Sequence, residues 1–157
     1  MLVYRIVHRV HSKELYASGL EGRWNSDGKK VIYTAGSIAL AFLENMIRRQ
    51  GVGFNSDFKT MIIEIPDGLK IKTIKPEDLP DGWRNYRDYT KCQLPGNDWY
   101  DKGQTPVLKV PSAVLPEEWN YVLNATVADF KTIHLIDTVE LVPDERLEII
   151  LKNYRKR

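Results

Sequence analysis

The amino-acid sequence predicts an α+β fold with a largely antiparallel mixed sheet and a few helices. Three observations carry that prediction. Short runs rich in Val, Ile, Tyr and Thr recur between Gly, Pro, Asn and Asp, the pattern of strands and turns. Few stretches show helical periodicity. Strands and helices do not alternate one for one, which argues against a parallel βαβ sheet.

Leu2 to Val10 reads as the first strand, being rich in Val, Ile and Tyr. Val31 to Thr34 is a short strand after the turn signal Ser26-Asp27-Gly28. Ser37 to Gln50 is a helix, with Ser37 as N-cap, Gly51 as terminator, and Arg48 and Arg49 at the negative end of its dipole. Met61 to Ile65 and Lys70 to Ile74 read as strands joined by a hairpin-like Pro66-Asp67-Gly68. Residues 80–104 carry Gly, Pro, Asn, two Trp and three Tyr with weak periodicity, which predicts a short helix plus a long loop. Val107 to Val110 and Thr132 to Val139 are further strands, and Asp144 to Tyr154 is a closing helix with Leu147, Ile150 and Leu151 on one face.

The 157 residues suit one domain, drawn here as 1–157. Hydrophobic residues at 43% and charged residues at 28% place the chain in the globular range and away from disorder, collagen and coiled coil. A net charge of +2 does not argue for nucleic acid or a membrane, although the basic end, Lys152 to Arg157, keeps an RNA-binding alternative in view. The single cysteine, Cys92, forms no internal disulfide. His8, His11 and His134 do not have metal-ligand spacing, so no metal is expected. No apolar run approaches the roughly 18–20 residues of a membrane span, and Arg5, His8 and Arg9 interrupt the start where a signal peptide would be apolar. A soluble protein of a reducing compartment, the cytoplasm, is the expectation.

Three features stand out as chemistry. Glu44 is the only ionisable group from Ile38 to Ile47, on a helix apolar nearly all round. Such a helix is expected to be buried, and a buried carboxylate is costly unless something pairs with it. An ion pair with Arg48, four residues on, is the ordinary alternative. Gly22-Arg23-Trp24-Asn25, then Tyr33, joins a guanidinium fork suited to phosphate or carboxylate with a flat ring for stacking and a hydroxyl donor. The ordinary alternatives are a surface arginine lying on Trp24 and a core tyrosine. Ser112 sits where a strand must stop, between Pro111 and Pro116, on a corner that displays a hydroxyl or merely turns the chain. No G-x-S-x-G elbow, Walker A loop or G-x-G-x-x-G is present.

These pieces, in this order, resemble the signature of RES-domain proteins. The match runs through Tyr4-Arg5-Ile6, Gly22 to Asn25, Gly28, Val31 to Thr34, Ser37, Ala39 to Ala41, Glu44, Val110 to Val114, Glu118, Asn120, Asn124 and Asp144 to Leu147. The family is named for an Arg, a Glu and a Ser, here Arg23, Glu44 and Ser112. Two departures are visible. Glu21 replaces the first Gly of a Gly-Gly-Arg-Trp run, and Asn124 to Phe130 lacks the family's Pro and His.

The resemblance implies the NAD-degrading toxin of a bacterial toxin–antitoxin pair, with an ADP-ribosyltransferase-like fold and an Xre-type antitoxin partner. It also implies a homodimer within a larger complex, without membrane or direct nucleic-acid contact. NAD is the substrate and no cofactor is implied. Catalytic positions are Glu44, Arg23, Tyr33 and Ser112, with Arg23, Tyr33, Ser112 and Asn120 binding substrate. On this reading Arg23 holds the diphosphate, Tyr33 orients the nicotinamide ribose, Ser112 hydrogen-bonds the substrate, and Trp99 and Tyr100 close over it from the long loop. The acceptor stays open among water, phosphate and a protein side chain. A catalytically degenerate domain that only binds its antitoxin is a further alternative.

Overall fold

The computed structural model describes residues 1–50 and 57–155. Seven strands form one mixed sheet: β1 (Leu2–His8), β2 (Val31–Ala35), β3 (Phe58–Glu64), β4 (Ile71–Thr73), β5 (Val107–Pro111), β6 (Trp119–Asn124) and β7 (His134–Glu140). Their spatial order is β4-β5-β6-β2-β1-β3-β7. All neighbours pair antiparallel except β4 with β5. The helices are α1 (Ile38–Arg48), α2 (Thr90–Lys102) and α3 (Glu145–Arg155). The expected α+β class is what the chain adopts.

Strand alternation divides the core between two faces. Val3, Val7, Ile32, Met61, Ile63, Val107 and Leu123 pack on one, with Leu15 and Ala17 against them. On the other, α2 supplies Cys92 and Trp99 to a cluster with Val31, Leu108, Val110 and Val122. Beside it, α1 supplies Leu40 and Ala41 to a cluster with Ile6 and Ala35. Both helices therefore lie on one face, and that face carries the candidate site.

Several expectations are corrected. Pro66-Asp67-Gly68 is not a hairpin, because β1 and β7 occupy both edges of β3. The chain instead turns at Gly68 (φ +86°) and crosses to the far edge, where β4 runs parallel to β5. Within 80–104 the expected helix is α2, which runs for 13 residues despite Pro95 and Gly96 inside it and leaves the loop chiefly to the part before Thr90. Cys92, Gly96 and Trp99 form its buried stripe. Trp99 and Tyr100 thus belong to a helix rather than a mobile flap: Trp99 is buried, and the Tyr100 hydroxyl accepts the Lys30 N–H at 3.0 Å. β6 was not anticipated as a strand.

The helix α1 is not enclosed either. Leu40 and Ala41 are buried, but Ile38 and Ile47 remain 45% and 52% exposed. Its N-cap is as expected, with Ser37 Oγ accepting the Leu40 N–H at 3.1 Å. The predicted terminator Gly51 lies outside the described residues. On α3, Leu147 and Ile150 are exposed rather than packed, and the Leu151 side chain is outside the description. Among the described residues no helix is long and apolar enough to cross a membrane.

Gly96 is where α2 touches the Gly22–Asn25 turn. A Cβ there would overlap the Trp24 backbone carbonyl, which is not free to retreat. Gly96→Ala is therefore expected to cost about 3 kcal/mol, a fall of roughly 6–12 °C in Tm. Thermal unfolding followed by circular dichroism measures it.

Candidate active site

The sheet sets the site through one rung. Val110 on β5 lies opposite Asn120 on β6, Asn120 opposite Ala35 on β2, and Ala35 opposite Tyr4 on β1. Alternation aims Asn120 at the helical face, and β5 ends one residue beyond Val110, so Ser112 leaves the sheet next to it. The helix α1 begins three residues after Ala35, directly after its cap Ser37, which brings Glu44 over the same rung.

The result is a carboxylate gripped by two donors. Ser112 Oγ donates to Glu44 Oε1 at 2.7 Å, and Asn120 Nδ2 donates to the same oxygen at 2.7 Å. Ser112 is fully buried, and its hydroxyl accepts the N–H groups of Val114 and Leu115 at 3.1 Å each. With those lone pairs filled, its own proton is directed to Glu44. Glu44 is half-buried and makes no ion pair among the described residues, so the Arg48 alternative is not what the structure holds. Asn120, expected to meet substrate, is engaged with Glu44.

Arg23 and Tyr33 lie on the neighbouring cluster. The Tyr33 hydroxyl donates to Asn25 Oδ1 at 2.6 Å and accepts the Trp24 N–H at 2.9 Å. Those bonds fix the Gly22–Asn25 turn, closed by reciprocal backbone bonds between Gly22 and Asn25. Gly22 is required here, since a Cβ would stand 2.6 Å from that hydroxyl. Burial pushes the Tyr33 hydroxyl well above the ordinary tyrosine range. With its hydroxyl committed, only the ring of Tyr33 is left to face a ligand.

The Arg23 guanidinium leaves the turn half-buried rather than lying on the surface. Its Nη1 donates to the carbonyls of Trp83 at 2.7 Å and Asn85 at 3.3 Å, and it stands 4.6 Å from the centre of the Tyr89 ring. Cys92 lies beside it; burial raises that thiol while the Arg23 charge pulls it down. Tyr89 and Cys92 also act on Tyr33, so Arg23 and Tyr33 share one neighbourhood.

On the other side of Tyr33 the sheet is nearly unjoined. β1 and β3 are paired from Leu2–Glu64 to His8–Phe58, whereas β1 and β2 meet only at Tyr4–Ala35. Arg5, on β1 beside this seam, points to the face of Val3 and Val7, away from the helices, where its Nη1 donates to the Tyr16 carbonyl at 3.4 Å. Its guanidinium is pushed down to about 10, first by burial and then by the like charge of Arg48. The Arg48 charge acts on Tyr33 as well. In the sequence Arg5 stands out only as part of the Tyr4-Arg5-Ile6 pattern. A charged residue at an inward position of a strand was the signal that marked it.

A cleft of about 470 Å³ at the opposite edge, lined by Lys72, Ile74, Asp78, Trp99, Lys102 and Thr105, contains none of these residues. Among the described residues no three His, Cys, Asp or Glu side chains converge for a metal ion.

The family model for the RES domain matches residues 2–147. The chain belongs to the RES-domain family. Its similarity to the "Toxin Res" of Yersinia enterocolitica is 33% identity over 153 residues, covering 94% of this chain and all of that relative. The "Prs ADP-ribosylating toxin" of a Sphingobium strain is 33% identical over 114 residues, 71% of each chain. A solved toxin–antitoxin complex of M. tuberculosis, MbcT-MbcA, contains a similar fold at a TM-score of 0.71 and 19% identity, over 99% of this chain and 89% of that one.

This RES domain also shows what replaces the missing Pro and His after Asn124. Asn124 Oδ1 accepts the Thr126 N–H at 3.0 Å and the Thr126 hydroxyl at 2.7 Å, and its Nδ2 donates to the Tyr100 carbonyl at 3.3 Å. The turn is thus held by a buried asparagine and a threonine.

Tyr33 gives a stability prediction with a definite sign. Its hydroxyl titrates higher in the folded chain than in the unfolded chain, so its contribution is complete below about pH 10 and is lost as pH rises beyond that. Tyr33→Phe is expected to lose about 1–3 kcal/mol at neutral pH, because the Trp24 N–H and Asn25 lose their partner. The difference from wild type should shrink between roughly pH 10 and 11.5. Urea unfolding across that range checks both.

Proposed function

We propose that this RES domain is the toxin of a bacterial toxin–antitoxin pair and that it degrades NAD by breaking the nicotinamide–ribose bond. The observation that carries the reading is the Glu44 carboxylate, fixed through Oε1 by Ser112 and Asn120 and unneutralised by any ion pair among the described residues. Held that way, Oε2 remains for a positively charged reacting centre.

The chemistry fits a preorganised anion. As the C–N bond breaks, its electron pair passes to the nicotinamide nitrogen, neutralising the cationic ring, while the ribose becomes oxocarbenium-like. A carboxylate already in place stabilises that developing charge without reorganising. The leaving group needs no proton. Water then attacks the ribose carbon and releases a proton, or phosphate attacks and stays attached.

Substrate binding follows from the cations. Arg23 beside Tyr33, together with the Arg48 charge that also acts on Tyr33, places positive charge where an anionic diphosphate would be held. The ring of Tyr33 offers a flat face between them. An antitoxin of the Xre type, covering this face, is the proposed partner, and the active complex is proposed to contain two copies of the chain. Transfer of ADP-ribose to a protein is a second reading, favoured by the name of the Sphingobium relative.

Purified protein mixed with NAD is expected to release nicotinamide, and Glu44→Gln to reduce the rate about 10²–10³-fold while remaining folded. Liquid chromatography of the products, with and without phosphate, separates hydrolysis from phosphorolysis. Mass spectrometry of added cell extract detects protein modification. A folded wild-type chain that leaves NAD intact in every arm would sink the enzymatic reading and favour a domain that only binds its antitoxin.

A further inference from the structure

One short segment, residues 83–87, is fastened to both halves of the site. On one side the carbonyls of Trp83 and Asn85 receive Arg23 Nη1, and the Trp83 carbonyl also faces Cys92 Sγ at 3.3 Å. On the other, Arg84 donates from Nε to the Ala113 carbonyl at 2.9 Å and from Nη2 to the Val114 carbonyl at 3.3 Å. Ala113 and Val114 belong to the turn whose N–H groups orient the Ser112 hydroxyl toward Glu44.

Arg84 is exposed and makes no ion pair among the described residues. An exposed arginine loses substantial rotamer freedom when it is fixed. Here its planar fork meets two consecutive carbonyls, a geometry that the single ammonium of lysine does not reproduce. We propose that Arg84 is a positioning residue: by clamping the 113–114 carbonyls to the segment that holds Arg23, it sets the direction of the Ser112 hydroxyl and so the placement of the Glu44 carboxylate. The proposal rests on the reading that Glu44 acts at the ribose. Both Arg84 contacts go to carbonyls of the Ser112 turn, while Arg23 keeps its own bonds to the Trp83 and Asn85 carbonyls, so the loss of Arg84 is read chiefly in turnover rather than in substrate binding.

The test uses the full chain and nicotinamide release from NAD. Arg84→Ala is expected to lower kcat about tenfold with KM nearly unchanged, and Arg84→Lys to fall between it and wild type. Placed on a Ser112→Ala background, Arg84→Ala should cost less than about twofold, because its effect passes through a hydroxyl already absent. An equal loss on both backgrounds, or a rise in KM at constant kcat, overturns the proposal. Amide hydrogen exchange of residues 112–115, measured without NAD, gives a readout independent of activity. Faster exchange in Arg84→Ala, with the rest of the chain unchanged, supports the clamp, and unchanged exchange overturns it. A wild-type chain inert toward NAD overturns the functional reading instead, and the exchange measurement still decides whether Arg84 holds the turn.

Discussion

The Glu44 carboxylate, drawn onto Ser112 and Asn120, is the interaction on which the rest of the site is arranged. Its three members come from α1, the end of β5 and β6, separated by 68 and 76 residues from Glu44. They meet only because β2, β5 and β6 are in one register, with Ala35, Asn120 and Val110 side by side. A one-residue slip of β6 would turn Asn120 to the opposite face and leave the carboxylate half held. The site is thus a property of the sheet's pairing, and the core clusters beneath the two helices are what fix that pairing.

Electrostatically, an acceptor-only group is met by neutral donors, while the guanidiniums stand apart from it. Had Arg48 folded back onto Glu44, the pair would have neutralised itself. Instead the Arg48 charge acts on Arg5 and Tyr33, and Arg23 is braced on backbone carbonyls and the Tyr89 ring. The cations and the anion remain separately available, as the proposed binding of a charged dinucleotide and stabilisation of a ribosyl cation require. Arg5 illustrates the cost of enclosing such a group: burial first and the Arg48 charge second push its guanidinium down to about 10.

Much of this was legible in the residues. Glu44 on an apolar helix and Ser112 at a proline-bounded corner were visible as anomalies, and each sits where the sequence placed it. The partner of Glu44 was not, because an i,i+4 arginine is local and obvious whereas Ser112 and Asn120 arrive through register. β6 escaped notice for a related reason. Asn120 and Asn124 face inward on it, one to serve Glu44 and one to tie the following turn, and asparagine is otherwise a poor strand former. In α2, Pro95 and Gly96 read as loop signals, yet Gly96 is small because the Trp24 backbone presses on it. The supposed hairpin failed because pairing across the sheet outweighed a local turn signal.

The lone rung between β1 and β2 has a mechanical consequence. The backbone pairing of the sheet falls into two groups, β4, β5, β6 and β2 on one side and β1, β3 and β7 on the other, joined at Tyr4–Ala35. Parting them there breaks one pair, against five between β2 and β6. The hydrophobic clusters bridge that boundary, Val3 and Val7 packing with Ile32 on one face and Ile6 with Ala35 on the other, so side-chain burial rather than backbone pairing holds the two halves together there.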